Sequence, residues 1–170
     1  MKKLSITPLG SGNSSGSMMN QAQVIQCVKE HLERKGYSVS ASPDGYGVGV
    51  DIDANRNTEK FLIEVVGETR TRNRSGQDIN IAIGEIVKRM KERGPQIHYG
   101  IAIPESHVRF LKNFEVGGIQ VLELHLFIVV TFGLAYHLDA SKIIELVQQL
   151  KAGKTVYPSL MDIDYKPTKG

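Results

Sequence analysis

The sequence predicts an α/β protein in which helices flank a central mixed β-sheet. Three short apolar segments between residues 37 and 66 are separated by turn residues, which predicts a meander of antiparallel strands. A segment with helical periodicity and then another apolar strand follow, which predicts a crossover connection and a parallel pair. With 170 residues, 41% of them hydrophobic, the chain is long and apolar enough to bury one domain core.

The first half of the chain begins with a helix, predicted over residues 20–35, where apolar side chains recur at helical spacing until Gly36. Three strands are then expected over residues 37–42, 48–53 and 61–66, with turns at Pro43–Gly45 and Asn55–Asn57.

The second half repeats the alternation of helices and strands. We expect a helix capped by Asp78 and ended by Gly94, because the Asp78 side chain can accept a hydrogen bond from a free backbone N–H. The remaining predicted elements are a strand over 99–103, a short helix over 106–114, one or two strands over 121–132, a strand over 135–138, and a helix from the Asp139 cap to Gly153.

The domain is expected to span residues 18–156. Residues 1–17 have the Gly and Ser content of a linker and are interpreted as an expression tag or a native flexible arm, and 157–170 as a C-terminal tail. The most apolar stretch, Leu122–Leu138, contains two histidines and falls short of a membrane span. Cys27 is the single cysteine, which excludes an internal disulfide and favours a reducing, cytoplasmic location.

Asp51 and Glu64 are the residues most indicative of chemistry, because each lies in or at the end of an apolar strand. A carboxylate in such a strand is costly unless it is paired or bound to a cation. Two carboxylates on adjacent strands repel each other and attract a hard divalent ion such as Mg²⁺. The alternative is structural: Asp51 and Asp53 end an edge strand, and Glu64 pairs with an arginine.

Three segments carry a resemblance to a known group of proteins. Ile63–Arg70 reads IEVVGETR, Ile79–Met90 reads INIAIGEIVKRM, and Tyr99–Pro104 reads YGIAIP. Together with Asp51, they resemble the PD-(D/E)xK nuclease superfamily of restriction-endonuclease-like and Holliday-junction-resolvase-like proteins, over about residues 20–150. The resemblance implies a restriction-endonuclease-like sandwich, an endonuclease that hydrolyses DNA with Mg²⁺ or Mn²⁺, and a homodimer as one expected assembly.

The resemblance also implies roles for single residues. Asp51 and Glu64 match the metal-binding carboxylates, and the backbone carbonyl of Val65 matches a third ligand. Glu30 is a weaker match to an acidic residue that some members carry on the first helix. Glu85 lies where relatives have a polar residue on the later helix, or else it forms an i,i+4 salt bridge with Arg89.

Val66 stands where the superfamily has its catalytic lysine, which orients or deprotonates the attacking water and stabilises phosphate charge. Valine can do neither, so another cation substitutes or the domain has lost activity. Lys88 on the following helix is the first choice for the substitute, ahead of Lys60 and Arg70. If the activity is lost, the expected function is that of a nucleic-acid-binding or scaffold domain derived from a nuclease.

A basic segment supports DNA as the partner. Residues 69–93 carry seven basic residues against three acidic ones, a net charge of +4, whereas the whole chain carries +3. Arg70, Arg72 and Arg74 are therefore expected to contact the DNA backbone, since cations position phosphates without reading sequence. The alternative is a solvated loop in a structural protein. The five histidines show no metal-ligand spacing, and those beside apolar strands are interpreted as structural residues.

Overall fold

A computed structural model describes residues 18–42, 49–69, 75–131 and 134–154. The elements in these ranges are, in chain order, α1 (Gln21–Arg34), β1 (Ser38–Ala41), β2 (Ile52–Arg56), β3 (Glu59–Val65), α2 (Ser75–Arg89), β4 (Ile97–Pro104), a 3-10 helix (Glu105–Asn113), α3 (Val116–Leu122), β5 (His125–Thr131), β6 (Leu134–Leu138) and α4 (Ala140–Lys151). The predicted tails 1–17 and 157–170, the turn at 43–45 and the basic loop at 70–74 lie outside the described residues.

The strands form one sheet in the order β1-β2-β3-β4-β5-β6. The first three are antiparallel neighbours, β3, β4 and β5 are parallel to one another, and β6 returns antiparallel to β5. The predicted meander, crossover and mixed sheet are therefore confirmed. Because α2 connects the parallel strands β3 and β4, its N-terminus faces the end of β3, where Glu64 and Val65 lie.

Helices cover both faces of the sheet and divide the core into two clusters. Helix α1 packs on one face, around Phe61 and Phe127, while α2, α3 and α4 pack on the other, around Ile101 and Leu126. Burial on both faces explains why β4 and β5 are almost continuously apolar instead of alternating. None of the helices in the described residues combines the length and apolar character needed to cross a membrane.

The second strand differs from its predicted position. It begins at Ile52 and runs to Arg56, so the expected turn at residues 55–57 is partly strand. The chain reverses at Asn57, whose φ of 53° is left-handed, a conformation that asparagine adopts more readily than most residues. As a consequence, Asp51 immediately precedes the regular strand instead of lying inside it.

Two further predictions are wrong in detail. The start of the strand expected over residues 121–132 is helical, because α3 extends to Leu122 and ends at Glu123, which has a left-handed φ of 48°. Asp78 does not cap α2, which begins at Ser75, and it lies in the first helical turn. The short helix expected over 106–114 is a 3-10 helix, and α1 and α4 lie where the periodicity predicted them.

Candidate functional site

Asp51 and Glu64 meet in one cleft at the end of β3. The β2–β3 register pairs Ile52 with Ile63, so the next position places Asp51 opposite Glu64 on the same face of the sheet. Both residues are buried, with 7% and 8% of their surface exposed. The cleft has a volume of about 350 Å³. Its other described walls are Gln21, Val65, Val66, Gly67, Glu68, Thr69, Asp78, Ile81, Ala82 and Glu85.

Gln21, the first residue of α1, connects two of the predicted metal ligands. Its side-chain Nε2 donates to Asp51 Oδ2 and to the backbone carbonyl of Val65, at 3.2 Å in each case. The backbone N–H of Val65 also donates to Asp51 Oδ2, at 2.8 Å. These bonds fix the Asp51 carboxylate toward the end of β3. Sequence reasoning missed Gln21, since a glutamine at a helix start has no distinguishing pattern.

The start of α1 is held against the end of β3 by close backbone packing. A Cβ placed on Gly67 would lie only 2.2 Å from the backbone nitrogen of Gln21, so only glycine fits there without movement. Met19 and Glu68 exchange two further hydrogen bonds across the same junction, of 2.6 and 2.8 Å. Asn20 and Gln23 form a capping box that fixes where the helix begins. Gln21 is consequently positioned by backbone contacts.

Glu64 has the strongest electrostatic perturbation in the cleft. Burial first, and the neighbouring Asp51 carboxylate second, raise the pKa of Glu64 to about 7, while Arg89 opposes this increase. The Nε of Arg89 donates to Glu64 Oε1 at 2.7 Å. A buried carboxylate that holds its proton near neutral pH favours a divalent cation in place of the proton, because the cation removes the repulsion from Asp51.

Val66 is buried at the position of the missing lysine. Its side chain is 5% exposed and joins the core beneath α2, while its backbone N–H donates to Ala102 at 2.8 Å. The proposed substitutes do not enter the cleft. Lys88 is 71% exposed and pairs with Glu85 at 2.6 Å, and Lys60 pairs with Asp53 at 3.0 Å near the start of β3.

The remaining predicted residues occupy different places. Glu30 accepts a hydrogen bond from Gln26 along α1 and does not line the cleft. Arg89 approaches Glu85 only to 3.9 Å, so its principal partner is Glu64 and not the i,i+4 neighbour expected from the sequence. Arg70, Arg72 and Arg74 lie outside the described residues.

The cleft is strongly acidic. Five carboxylates line it, and none of its described lining residues is lysine or arginine. One of these five, Asp78, has a buried Oδ2 atom without a hydrogen-bond partner in the described structure. No group of three or more His, Cys, Asp or Glu in the described residues is arranged to hold a metal ion. Any cation in the cleft would therefore need ligands beyond side chains of these types.

The histidines form a separate cluster on the α1 face. His125 and His137 lie 2.8 Å apart between ring nitrogens, His98 contacts His125, and His137 stacks on Phe127 with a centroid distance of 4.6 Å. Burial lowers the pKa of His125 to about 4 and that of His137 to about 3. Their contacts with aromatic rings are consistent with the structural role predicted from the sequence.

The fold and the cleft together define an α/β protein with a mixed sheet and a buried pair of carboxylates. No protein-family model matches the chain, and no curated protein matches it either. Among solved structures, the chain is similar to an XisH family protein from Nostoc punctiforme, with 24% identity over 62% of this chain and 89% of that chain, and a TM-score of 0.44. Similarity at this level carries no argument about activity.

Proposed function

We propose that this chain is a metal-dependent endonuclease-like domain that hydrolyses DNA phosphodiester bonds with Mg²⁺ or Mn²⁺. The observation that carries the proposal is the convergence of Asp51, Glu64 and the Val65 carbonyl in one buried cleft. A structural role would leave two adjacent buried carboxylates with uncompensated repulsion. The resemblance to PD-(D/E)xK nucleases assigns these same three groups as the metal ligands.

The donor set fits a hard cation. Asp51 and Glu64 supply two carboxylates, and the Val65 carbonyl supplies a neutral oxygen. Gln21 offers a further amide oxygen if its side-chain amide turns over, since its terminal nitrogen already lies 3.2 Å from two of these groups. Mg²⁺ prefers oxygen ligands and keeps several waters, so a site with few carboxylates suits it. The absence of a three-residue His/Cys/Asp/Glu group in the described residues is compatible with this mixed set.

In the proposed reaction, a water oxygen forms a bond to phosphorus and the bond from phosphorus to one bridging ester oxygen breaks. The water loses its proton to solvent, and the leaving alkoxide takes a proton from solvent. A bound divalent ion supplies charge neutralisation and a more acidic water. Asp51 and Glu64 hold that charge in place, and Gln21 keeps the Asp51 carboxylate directed at the cleft.

DNA is the proposed substrate because of the basic segment that follows β3. Arg70, Arg72 and Arg74 stand between the cleft-forming strand and α2 in the sequence. Cations at this place offset the acidity of the cleft, which would otherwise repel a polyanion. Their proposed role is to hold the phosphate backbone while the cleft carboxylates hold the metal.

A second candidate is a nucleic-acid-binding or scaffold domain that has lost catalysis. The buried Val66 favours it, because no ammonium group reaches the cleft from that position. The solvent-exposed Lys88, engaged with Glu85, also favours it. The two candidates share metal and DNA binding and differ in cleavage alone.

The deciding experiment combines metal titration with cleavage assays. Calorimetric titration with Mn²⁺ should show one site in the parent and none in Asp51→Asn or Glu64→Gln. Asp53→Asn is the matched control, because Asp53 is the next acid along the chain and pairs with Lys60 away from the cleft. Single-stranded, duplex and branched DNA are then incubated with Mg²⁺ or Mn²⁺. Metal binding without cleavage of any of them would favour the second candidate, and no metal binding would contradict both.

A further inference from the structure

The cleft lacks the motif lysine, yet a positive charge does reach its principal carboxylate. Arg89, at the C-terminal end of α2, donates through Nε to Glu64 Oε1 at 2.7 Å. It approaches from the side of the cleft formed by α2, which also contributes Ala82 and Glu85 to the lining. The contact joins residues 25 positions apart, so it is a tertiary contact and not a helix-surface pair.

The remaining N–H groups of Arg89 are available for a ligand. A guanidinium carries five N–H donors, and the bond to Glu64 uses the one on Nε. The nearest other acceptor on record, Glu85 Oε2, lies 3.9 Å from Nη2, which is too long for a hydrogen bond. The side chain is 32% exposed, so it combines a fixed anchor with access to solvent.

Neighbouring cations on the same helix do not share this arrangement. Lys88 is 71% exposed, and its ammonium is engaged with Glu85. Lys60 lies near the start of β3, four residues before Glu64, and an extended strand places it about 13 Å away. Arg89 is thus the one among these candidate cations that contacts a predicted metal ligand.

We propose that Arg89 supplies the positive charge that stabilises phosphate in this cleft, in place of the lysine that Val66 replaces. This inference rests on the endonuclease proposed above and names a further residue of its site. Its Nη groups would donate to a non-bridging phosphate oxygen while Nε stays on Glu64, a geometry that the planar fork of arginine allows and an ammonium does not. Arginine stays protonated, so Arg89 contributes charge and orientation, and the water proton passes to solvent.

The arrangement also gives Arg89 a second measurable effect, on metal binding. A guanidinium 2.7 Å from Glu64 competes with a divalent cation for the same carboxylate. Removing it should strengthen Mn²⁺ binding about tenfold, since like charges in a partly buried site repel by at least about 1 kcal/mol. Cleavage should change in the opposite direction, falling roughly 100-fold, the usual loss when one transition-state donor is removed.

The test compares Arg89→Met with Lys88→Met and with Lys91→Met, an exposed basic residue just beyond α2 that serves as the matched control. Mn²⁺ affinity is measured by calorimetry and cleavage on the best DNA substrate of the parent. We expect tighter Mn²⁺ binding and slower cleavage for Arg89→Met alone. Val66→Lys in the Arg89→Met background should restore at least about a tenth of the lost rate, because it returns a cation to the motif position.

Three results would overturn the inference. Unchanged or weaker Mn²⁺ binding by Arg89→Met would show that Arg89 does not compete for the metal-binding carboxylate. Parent-like cleavage by Arg89→Met, or a larger loss in Lys88→Met, would assign the charge elsewhere. A parent that binds Mn²⁺ but cleaves no DNA would remove the endonuclease proposal together with the catalytic role of Arg89, whereas the first two results leave that proposal intact.

Discussion

Gly67→Ala tests whether the start of α1 is held at the cleft by backbone packing. The new Cβ would lie 2.2 Å from the nitrogen of Gln21 and 2.8 Å from its Cα. Both are backbone atoms, so no side-chain rotation can relieve the clash, and the start of α1 must move. Overpacking of this kind costs about 1–3 kcal/mol. Loss of the two Gln21 hydrogen bonds adds about 1 kcal/mol, so we expect a total near 3 kcal/mol.

The matched control is Gly84→Ala in the interior of α2. A Cβ at this position meets no atom within 4 Å. Alanine should therefore stabilise the protein by about 0.5–1 kcal/mol, because it loses less backbone entropy than glycine in a helix. The two variants add the same methyl group, and they are expected to change stability in opposite directions.

Urea unfolding followed by far-ultraviolet circular dichroism measures both variants. At an unchanged slope, Gly67→Ala should shift the midpoint to lower urea and Gly84→Ala to higher urea. Mn²⁺ titration of Gly67→Ala should also show weaker binding, because Gln21 no longer orients Asp51. If Gly67→Ala unfolds at the parent's midpoint and binds Mn²⁺ equally well, α1 is not held at the cleft in the way described.

Three further predictions concern pH and salt. Because burial lowers the pKa of His125 to about 4 and of His137 to about 3, the unfolded chain binds protons first as the pH falls below 6.5, and stability decreases from there. From pH 7.5 to 5.0 the loss should reach about 2 kcal/mol for each histidine, and urea unfolding of His137→Phe should show a smaller loss, whereas an identical loss would contradict the role of His137. Since the pKa of Glu64 is raised to about 7, Mn²⁺ must displace a proton below that pH, so calorimetry should show affinity falling between pH 8 and pH 6, and pH-independent binding would exclude Glu64 as a ligand. Replacing Arg70, Arg72 and Arg74 by alanine should flatten the dependence of DNA affinity on salt by about 0.9 per lost phosphate contact, and an unchanged slope would make the loop a solvated segment only.

The sequence by itself determined the class of fold. Hydrophobic periodicity placed α1 and α4, and the succession of short apolar segments predicted the meander and the parallel crossover. These features are local, because the amphipathic period of a segment reports which of its faces is buried. Asp51 and Glu64 were also recognisable in the sequence, since a carboxylate beside apolar strand residues departs from the local pattern.

The tertiary structure decided which groups surround those carboxylates. Gln21 lies 30 residues from Asp51, and Arg89 lies 25 residues from Glu64, so no local pattern connects either pair. From the sequence, Arg89 was paired with Glu85 one helical turn away, a plausible local contact that the packing of α2 against β3 replaces. The contact that α2 makes depends on how the helix is rotated and placed against the sheet. Packing sets that rotation across the whole interface, and for this reason the cation at the cleft became visible only in the folded chain.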